Sequence, residues 1–543
     1  MDTSARTAPT VAPASRRTGL APGIAPAVLS LALLGGIAGD VLLDLGGPGV
    51  GFVLWVGVIV ATFVALAWRA ELAIPREGAA WLAVAIVCTL GAAWRNSEQL
   101  QFFNVVGALG ALIAAAATIN RAGSVLFAPR LRDSALALVL VCRDAAFGLL
   151  PLAFRELPLA THGTNARTRL WRFLRVGLVV VPLLVIFGSL LRSADPIFAS
   201  FVALPSWNFE HLGQHVFLIA FFTVAIAGLT RAALIEKSDE TTGPALHFQI
   251  AGLEVTAALV TLNVLFAAYL VAQLGWFFGG EAFLQARTGL TAAQYARSGF
   301  FQMVWVVILV VPILIGTRVF LAPGRALAHR HMLLSLPIVG LLGAMILSAA
   351  LRMRLYVHYY GLSTDRFYPL VFMAWLGIVL LWLSVTVLRG WGRPFVAGAT
   401  ISALGVLMGL NVAAPDRIVA RVNLDRAARA DASMEPLDIA YLSRLGGEAT
   451  DLVVPAVIAA PSPPPTAVFK SRWENPKCAA AENLLRRWGP ESRARATQDR
   501  VAAWRAWNAG EAAGLRAVGP HSGELRAIAH AECQRAKPAP AQR

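Results

Sequence analysis

Charge is scarce in this chain. Asp, Glu, Lys and Arg make up only 14% of its 543 residues, where soluble globular domains carry about 25%. Hydrophobic residues make up 57% and the mean hydropathy is +0.63, which excludes an ordinary soluble fold before any motif is read. Lysine is almost missing: nearly all of the 47 basic residues are arginine, most of them in loops between apolar stretches. Basic residues so placed hold membrane topology. The net charge of +16 is therefore not read as a nucleic-acid surface. Cysteine is rare too, four in all, with no zinc-ligand spacing. A Gly-rich phosphate loop and a nucleophile elbow are also lacking. The sequence thus implies no cofactor and no metal, and no nucleophile or acid–base pair speaks for an enzyme.

What is present is a succession of apolar stretches, most of them long enough to cross a hydrocarbon core of about 30 Å as a helix. Eleven are drawn: Pro26 to Leu45, Val50 to Trp68, Ala79 to Trp94, Phe102 to Ile119, Phe173 to Leu191, Val216 to Ala233, Ile250 to Phe278, Phe300 to Phe320, Met332 to Leu351, Pro369 to Leu388 and Phe395 to Val412. Backbone groups in lipid must satisfy one another, so such a chain is an all-α polytopic transmembrane helix bundle. Residues 1–25 read as a polar cytoplasmic lead, residues 26–412 as the bundle, and residues 413–543 as a small α-helical domain outside the membrane.

Ala135 to Phe154 is apolar but carries Arg143 and Asp144 at its middle, an expensive pair at mid-depth. With that stretch interfacial or re-entrant, most loop arginines fall on one side; with it crossing, the asymmetry largely vanishes. The reading is a multi-pass membrane protein, N-terminus inside and C-terminus outside. In the tail, Pro461 to Pro465 is a proline-rich linker, and Leu484, Leu485, Trp488, Val501, Trp504 and Trp507 suggest one apolar helical face. Cys478 and Cys533 are the only cysteine pair there and are expected to bridge in an oxidising compartment.

Several segments carry a resemblance. YLVAQLGWFFGG from Tyr269, followed by GLTAAQYARSGFFQMVWVV, resembles the core of an uncharacterised family of bacterial integral membrane proteins. GSLLRSADPIFASF from Gly188, RMRLYVHYYGLSTDRFYPL from Arg352, and APDRIVARVNLDRA running into LDIAYLSRLG between Ala414 and Gly446 are similar to that family too. The resemblance covers roughly residues 170–450; it implies the bacterial cytoplasmic (inner) membrane as the location, and no established activity, substrate or cofactor.

The same segments supply candidate site residues. Arg192 and Asp195, then Tyr295 with Glu281, Arg287 and Arg297, then Arg352, Arg354, Tyr356, His358, Asp365 and Arg366 all fall in loops assigned to the outer side. Arginine with tyrosine suits a planar anion such as phosphate or carboxylate; the bland alternative is mutual anchoring and contact with lipid headgroups. Gly361 to Thr364 offers Ser or Thr as a helix N-cap. Glu254 is an intramembrane acid near the start of a span, either functional or simply favourable at a helix N-terminus. Asp40 with Asp44 and His211 with His215 have cation-ligand spacings without a further ligand nearby. Membrane lipids are the expected partners, with an envelope protein on the C-terminal domain. Sensing or assembly at the outer face is favoured, and a transporter or flippase for a small anionic or lipid-linked substrate is the alternative.

Overall fold

The computed structural model describes residues 24–43, 47–120, 125–126, 131–152, 209–234, 252–288, 300–322, 324–390, 393–429, 436–464, 469, 471, 473–492 and 504–535. These form helices and no strand. The bundle elements are α1 (Ile24–Leu42), α2 (Val50–Arg69), α3 (Arg76–Trp94), α4 (Glu98–Asn120), α5 (Leu131–Phe147), α6 (Phe209–Leu234), α7 (Gly252–Thr288), α8 (Phe300–Val319), α9 (Arg325–Tyr360), α10 (Thr364–Val385) and α11 (Arg393–Ala413). The tail contributes α12 (Pro415–Ala428), α13 (Ile439–Leu442), α14 (Thr450–Ala459), α15 (Pro476–Trp488), α16 (Ala509–Val518) and α17 (Ser522–Arg535).

Nine of these, α1 to α4, α6, α7 and α9 to α11, are long and apolar enough to cross a membrane, and α8 holds a shorter apolar stretch, Trp305–Val319. At most half of any candidate span is buried. Bulky side chains such as Leu34, Leu381 and Ile401 stay 59 to 67% exposed along the helices, faces suited to lipid tails and not to water. The stretch at Phe173 to Leu191 lies outside the described residues. α5 is only 17 residues and is not among the helices of spanning length.

Two helices overrun the spans drawn from sequence. α7 has 37 residues and α9 has 36, or about 54 Å at 1.5 Å per residue. Glu281, Arg287, Arg352, Arg354, Tyr356 and His358 therefore ride on helices and not in loops. The reason at α9 is local: nothing in LRMRLYVHYY breaks a helix until Gly361, which takes φ +78°.

The chain divides into two compact units. The first holds Met1–Asp40, Ile59–Ile74 and Arg143–Lys237. In it α1 and α6 run antiparallel, with Gly35 against Ile226 and Gly36 against Thr223. Small residues let the backbones approach. Asp40 accepts from His215 Nδ1 at 2.8 Å. Past α5, Gly148 meets Gly228, and the Arg143 guanidinium closes on Asp144 at 2.7 Å.

The second unit holds Val41–Val58, Pro75–Cys142 and Ser238–Arg543. Its bundle core joins Leu259 and Phe266 of α7, Val310 and Leu314 of α8, Ile338 and Leu342 of α9, and Met373 and Leu380 of α10. A second core lies in the tail, where Val419, Leu442, Val453, Leu484, Trp488 and Leu525 pack together and reach Leu362 between α9 and α10. Cys478 and Cys533 are joined by a disulfide that ties α15 to α17.

Candidate functional site

Among the described residues of the second unit, a heavily built polar region lies where the ends of α3 and α11 and the start of α10 meet the tail. α3 stops at Arg95, which turns extended, and Ser97 opens α4 by accepting from Gln101 N through its carbonyl. The Ser97 hydroxyl is thereby left for other work: it donates to Asp416 Oδ1 at 3.0 Å and lies 3.0 Å from the Tyr368 hydroxyl of α10. Asp416 stands in the first turn of α12, where Pro415 occupies N1 and an acid suits the helix N-terminus. Its other oxygen accepts from Gly446 N at 2.6 Å. Two residues on, Glu448 accepts from Asn96 N at 3.3 Å through Oε2, while its Oε1 is buried without a hydrogen-bond partner.

Close backbone approach holds these parts together. A Cβ at Gly447 would stand 2.0 Å from the Gly510 carbonyl, and one at Gly446 would stand 2.8 Å from Asp416 Oδ2 and 3.0 Å from Glu448 Oε2. Asn508 then serves two helices at once. Its Oδ1 accepts from Gly510 N and Glu511 N at the start of α16, and its Nδ2 donates to the Ala92 and Arg95 carbonyls at the end of α3 at 2.9 Å. Arg95 in turn donates to the Asn411 carbonyl at the end of α11 at 2.6 Å. One turn deeper, Asn104 and Asn411 exchange reciprocal amide hydrogen bonds at 2.9 Å.

Asp416 is 3% exposed and Glu448 7%. Burial pushes both carboxyls above the ordinary carboxylate range, and the Asp416 charge raises Glu448 further. Arg487 draws Asp416 back and Arg95 draws Glu448 back. Both carboxyls thus ionise less readily than free ones, and they are set among helix ends that they help to join.

Beside this site the turn Gly361–Ser363 is fixed from the tail. Asn423 accepts from Leu362 N at 3.0 Å and donates to the Leu362 carbonyl at 2.6 Å. Ser363 stands at the N-cap of α10, but its side chain makes no capping bond; Thr364 N donates instead to the Tyr441 hydroxyl at 2.8 Å. The cap expected from Ser or Thr is thus supplied by Tyr441.

Of the sequence candidates, Arg192, Asp195, Tyr295 and Arg297 lie outside the described residues, as does Asp44. Arg366 lies over the Tyr356 ring at 4.1 Å and donates through one guanidinium nitrogen, Nη1, to both the Tyr360 and Gly361 carbonyls, which caps the end of α9. Asp365 shares that first turn of α10. Arg352 is 3% exposed on α9, and Arg354 points to the surface. Glu254 is exposed in the first turn of α7. Trp504 and Trp507 depart from expectation: they sit half exposed on a non-helical segment before α16, whereas Leu484 and Trp488 enter the tail core. Ser97, Asn411, Glu448 and Asn508 went unread in the sequence, although polar residues at the borders of apolar runs were a usable signal.

Helices of spanning length with a folded helical tail fastened to their ends define a polytopic helical architecture of the membrane type. Residues 82–455 match the domain of unknown function DUF4153, and the chain belongs to that family. The match reaches back to α3, earlier than the resemblance at roughly residue 170, and takes in Ser97, Tyr368, Asp416 and Glu448. No curated protein and no solved structure matches the chain.

Proposed function

We propose that this is a non-catalytic bacterial inner-membrane protein that senses conditions or assembles partners at the outer face, through the junction between its bundle and its tail. The observation that carries this reading is the fastening of one folded tail to several helix ends. Arg505 and Trp507 bond to the α1–α2 connection, Asn508 and Glu448 to α3–α4, and Asn423 and Tyr441 to α9–α10. Carboxyls there that ionise less readily than free ones give the fastening a means to respond to the pH of the medium.

The same contacts favour eleven spans. Connections α1–α2, α3–α4 and α9–α10 share one tail, so an even number of crossings separates them. Eleven spans with residues 135–154 not crossing meet that condition, and twelve do not. The loop arginines then put the tail outside, where a disulfide between Cys478 and Cys533 is at home.

Affinity purification of the full chain in mild detergent, with mass spectrometry of protein and lipid partners, tests the proposal. A stoichiometric envelope protein that cross-links to the tail is the expected outcome. A partner-free protein that moves a solute in proteoliposomes would replace it with the transporter reading. One observation favours that second reading: His331, 2% exposed on α9, lies 3.0 Å from the Thr317 hydroxyl on α8, and ionisable groups inside a bundle commonly mark transport paths.

A further inference from the structure

Residues 504–507 are placed by helix ends. An apolar helix leaves its first N–H groups and last carbonyls without partners, and here the tail supplies several. Val50 N donates to the Trp507 carbonyl at 3.0 Å and Gly51 N to the Arg505 carbonyl at 2.8 Å, at the start of α2. The Arg505 guanidinium donates to the Val41 carbonyl at the end of α1. A Cβ on Gly49 would stand 2.6 Å from Ala506, so glycine is what allows the segment this close. Asn508 fixes the next residue to the end of α3. The segment is therefore held at the level where three apolar helices begin or end.

Where these helices cross a bilayer, the level of their ends is the border of the hydrocarbon core. On it Trp504 is 46% exposed, Trp507 50%, and Trp94, the last residue of α3, 48%. The Arg95 guanidinium lies over the Trp94 ring at 4.1 Å. Half-exposed indoles beside guanidinium groups at helix ends match the headgroup layer, which takes an apolar ring with a polar N–H.

We propose that Trp504 and Trp507 lie in the glycerophospholipid headgroup layer of the bilayer that α1 and α2 cross, with Trp94 as a third anchor. The tail then rests on the membrane and does not project from it. This holds whichever activity the protein has, because it depends only on the bilayer.

The test uses the full chain, one copy per nanodisc, in phosphatidylglycerol and phosphatidylcholine with acyl chains brominated near the headgroup. The fluorescence that W504F/W507F removes from the wild type is the signal of the two indoles. Bromination should quench that signal about twofold or more, as for an interfacial ring; equal signals in brominated and plain discs overturn the proposal. Should the variant fail to fold, hydroxyl-radical footprinting of the wild type decides. Trp473, also 46% exposed in the tail, is the internal comparison. Trp504 and Trp507 should be oxidised several-fold less than Trp473 in discs, and equal oxidation would refute lipid contact. The discs hold no second protein and no second copy, so protection there comes from lipid.

Discussion

Glu448 places a carboxylate oxygen in the junction with no hydrogen-bond partner, and the cost of ionising it sets a direction for pH dependence. Asp416 and Glu448 have folded pKa values raised by burial. The folded protein therefore holds protons that the unfolded chain releases. The stability these two groups contribute is full below their unfolded values of about 4 and is lost as pH rises through the higher folded values. We expect E448Q to unfold at a higher temperature than the wild type at pH 7, with the difference shrinking toward pH 4; each tenfold in the ionisation constant is worth about 1.4 kcal/mol. A pH-independent difference would assign the effect to packing. At the α9–α10 turn, N423A should cost about 2 kcal/mol by stranding the buried Leu362 N–H and carbonyl, and Y441F about 1 kcal/mol by uncapping Thr364. Thermal unfolding in detergent measures both, and equal losses would mean that Asn423 does not hold the turn. The sequence showed Asp416, Asn423 and Tyr441 only as members of familiar-looking segments. The partners Leu362, Thr364 and Ser97 are 61 to 319 residues away, a distance no local pattern encodes.

At the scale of elements, the apolar runs located nearly every helix of the bundle and misjudged where two of them stop. Polar side chains in RMRLYVHYY suggested a loop, yet arginine and tyrosine tolerate a helix and the break waits for Gly361. In the tail, a helical face drawn through Trp504 and Trp507 failed because backbone bonds to Val50 and Gly51 hold that segment out of a helix. The disulfide belongs to this scale as well. It closes 55 residues around α15 to α17, which is worth about 4 kcal/mol on the chain-entropy view. Alkylation of unreduced, denatured protein should modify Cys88 and Cys142 alone. Reduction should lower the tail's unfolding temperature and expose it to protease. Four alkylated cysteines before reduction would contradict the bridge.

For the whole molecule, the proposed topology places every tail-bonded connection on one side. A reporter active only outside the cytoplasm should be active when fused after Ala460. Activity of the matching cytoplasmic reporter there would mean either an inverted bundle or an additional crossing. Residues 252–288 and 325–360 then extend past the hydrocarbon core as continuous helix, carrying Arg354 and Tyr356 beyond the spans drawn from hydropathy.

Sequence alone determined that the chain is helical and of membrane type, because an apolar run long enough to span lipid has one way to satisfy its own backbone. It also singled out Cys478 and Cys533, the only two cysteines of the tail. Tertiary structure decided which polar residues matter together. Helix ends leave N–H and carbonyl groups open, and whether water, a neighbouring side chain or a distant tail fills them depends on what the fold brings there. Here it brought Asn508 to Ala92, Tyr441 to Thr364 and Asp416 to Ser97. It also left two tryptophans, read from sequence as part of an apolar helical face, half exposed beside the ends of the first two helices.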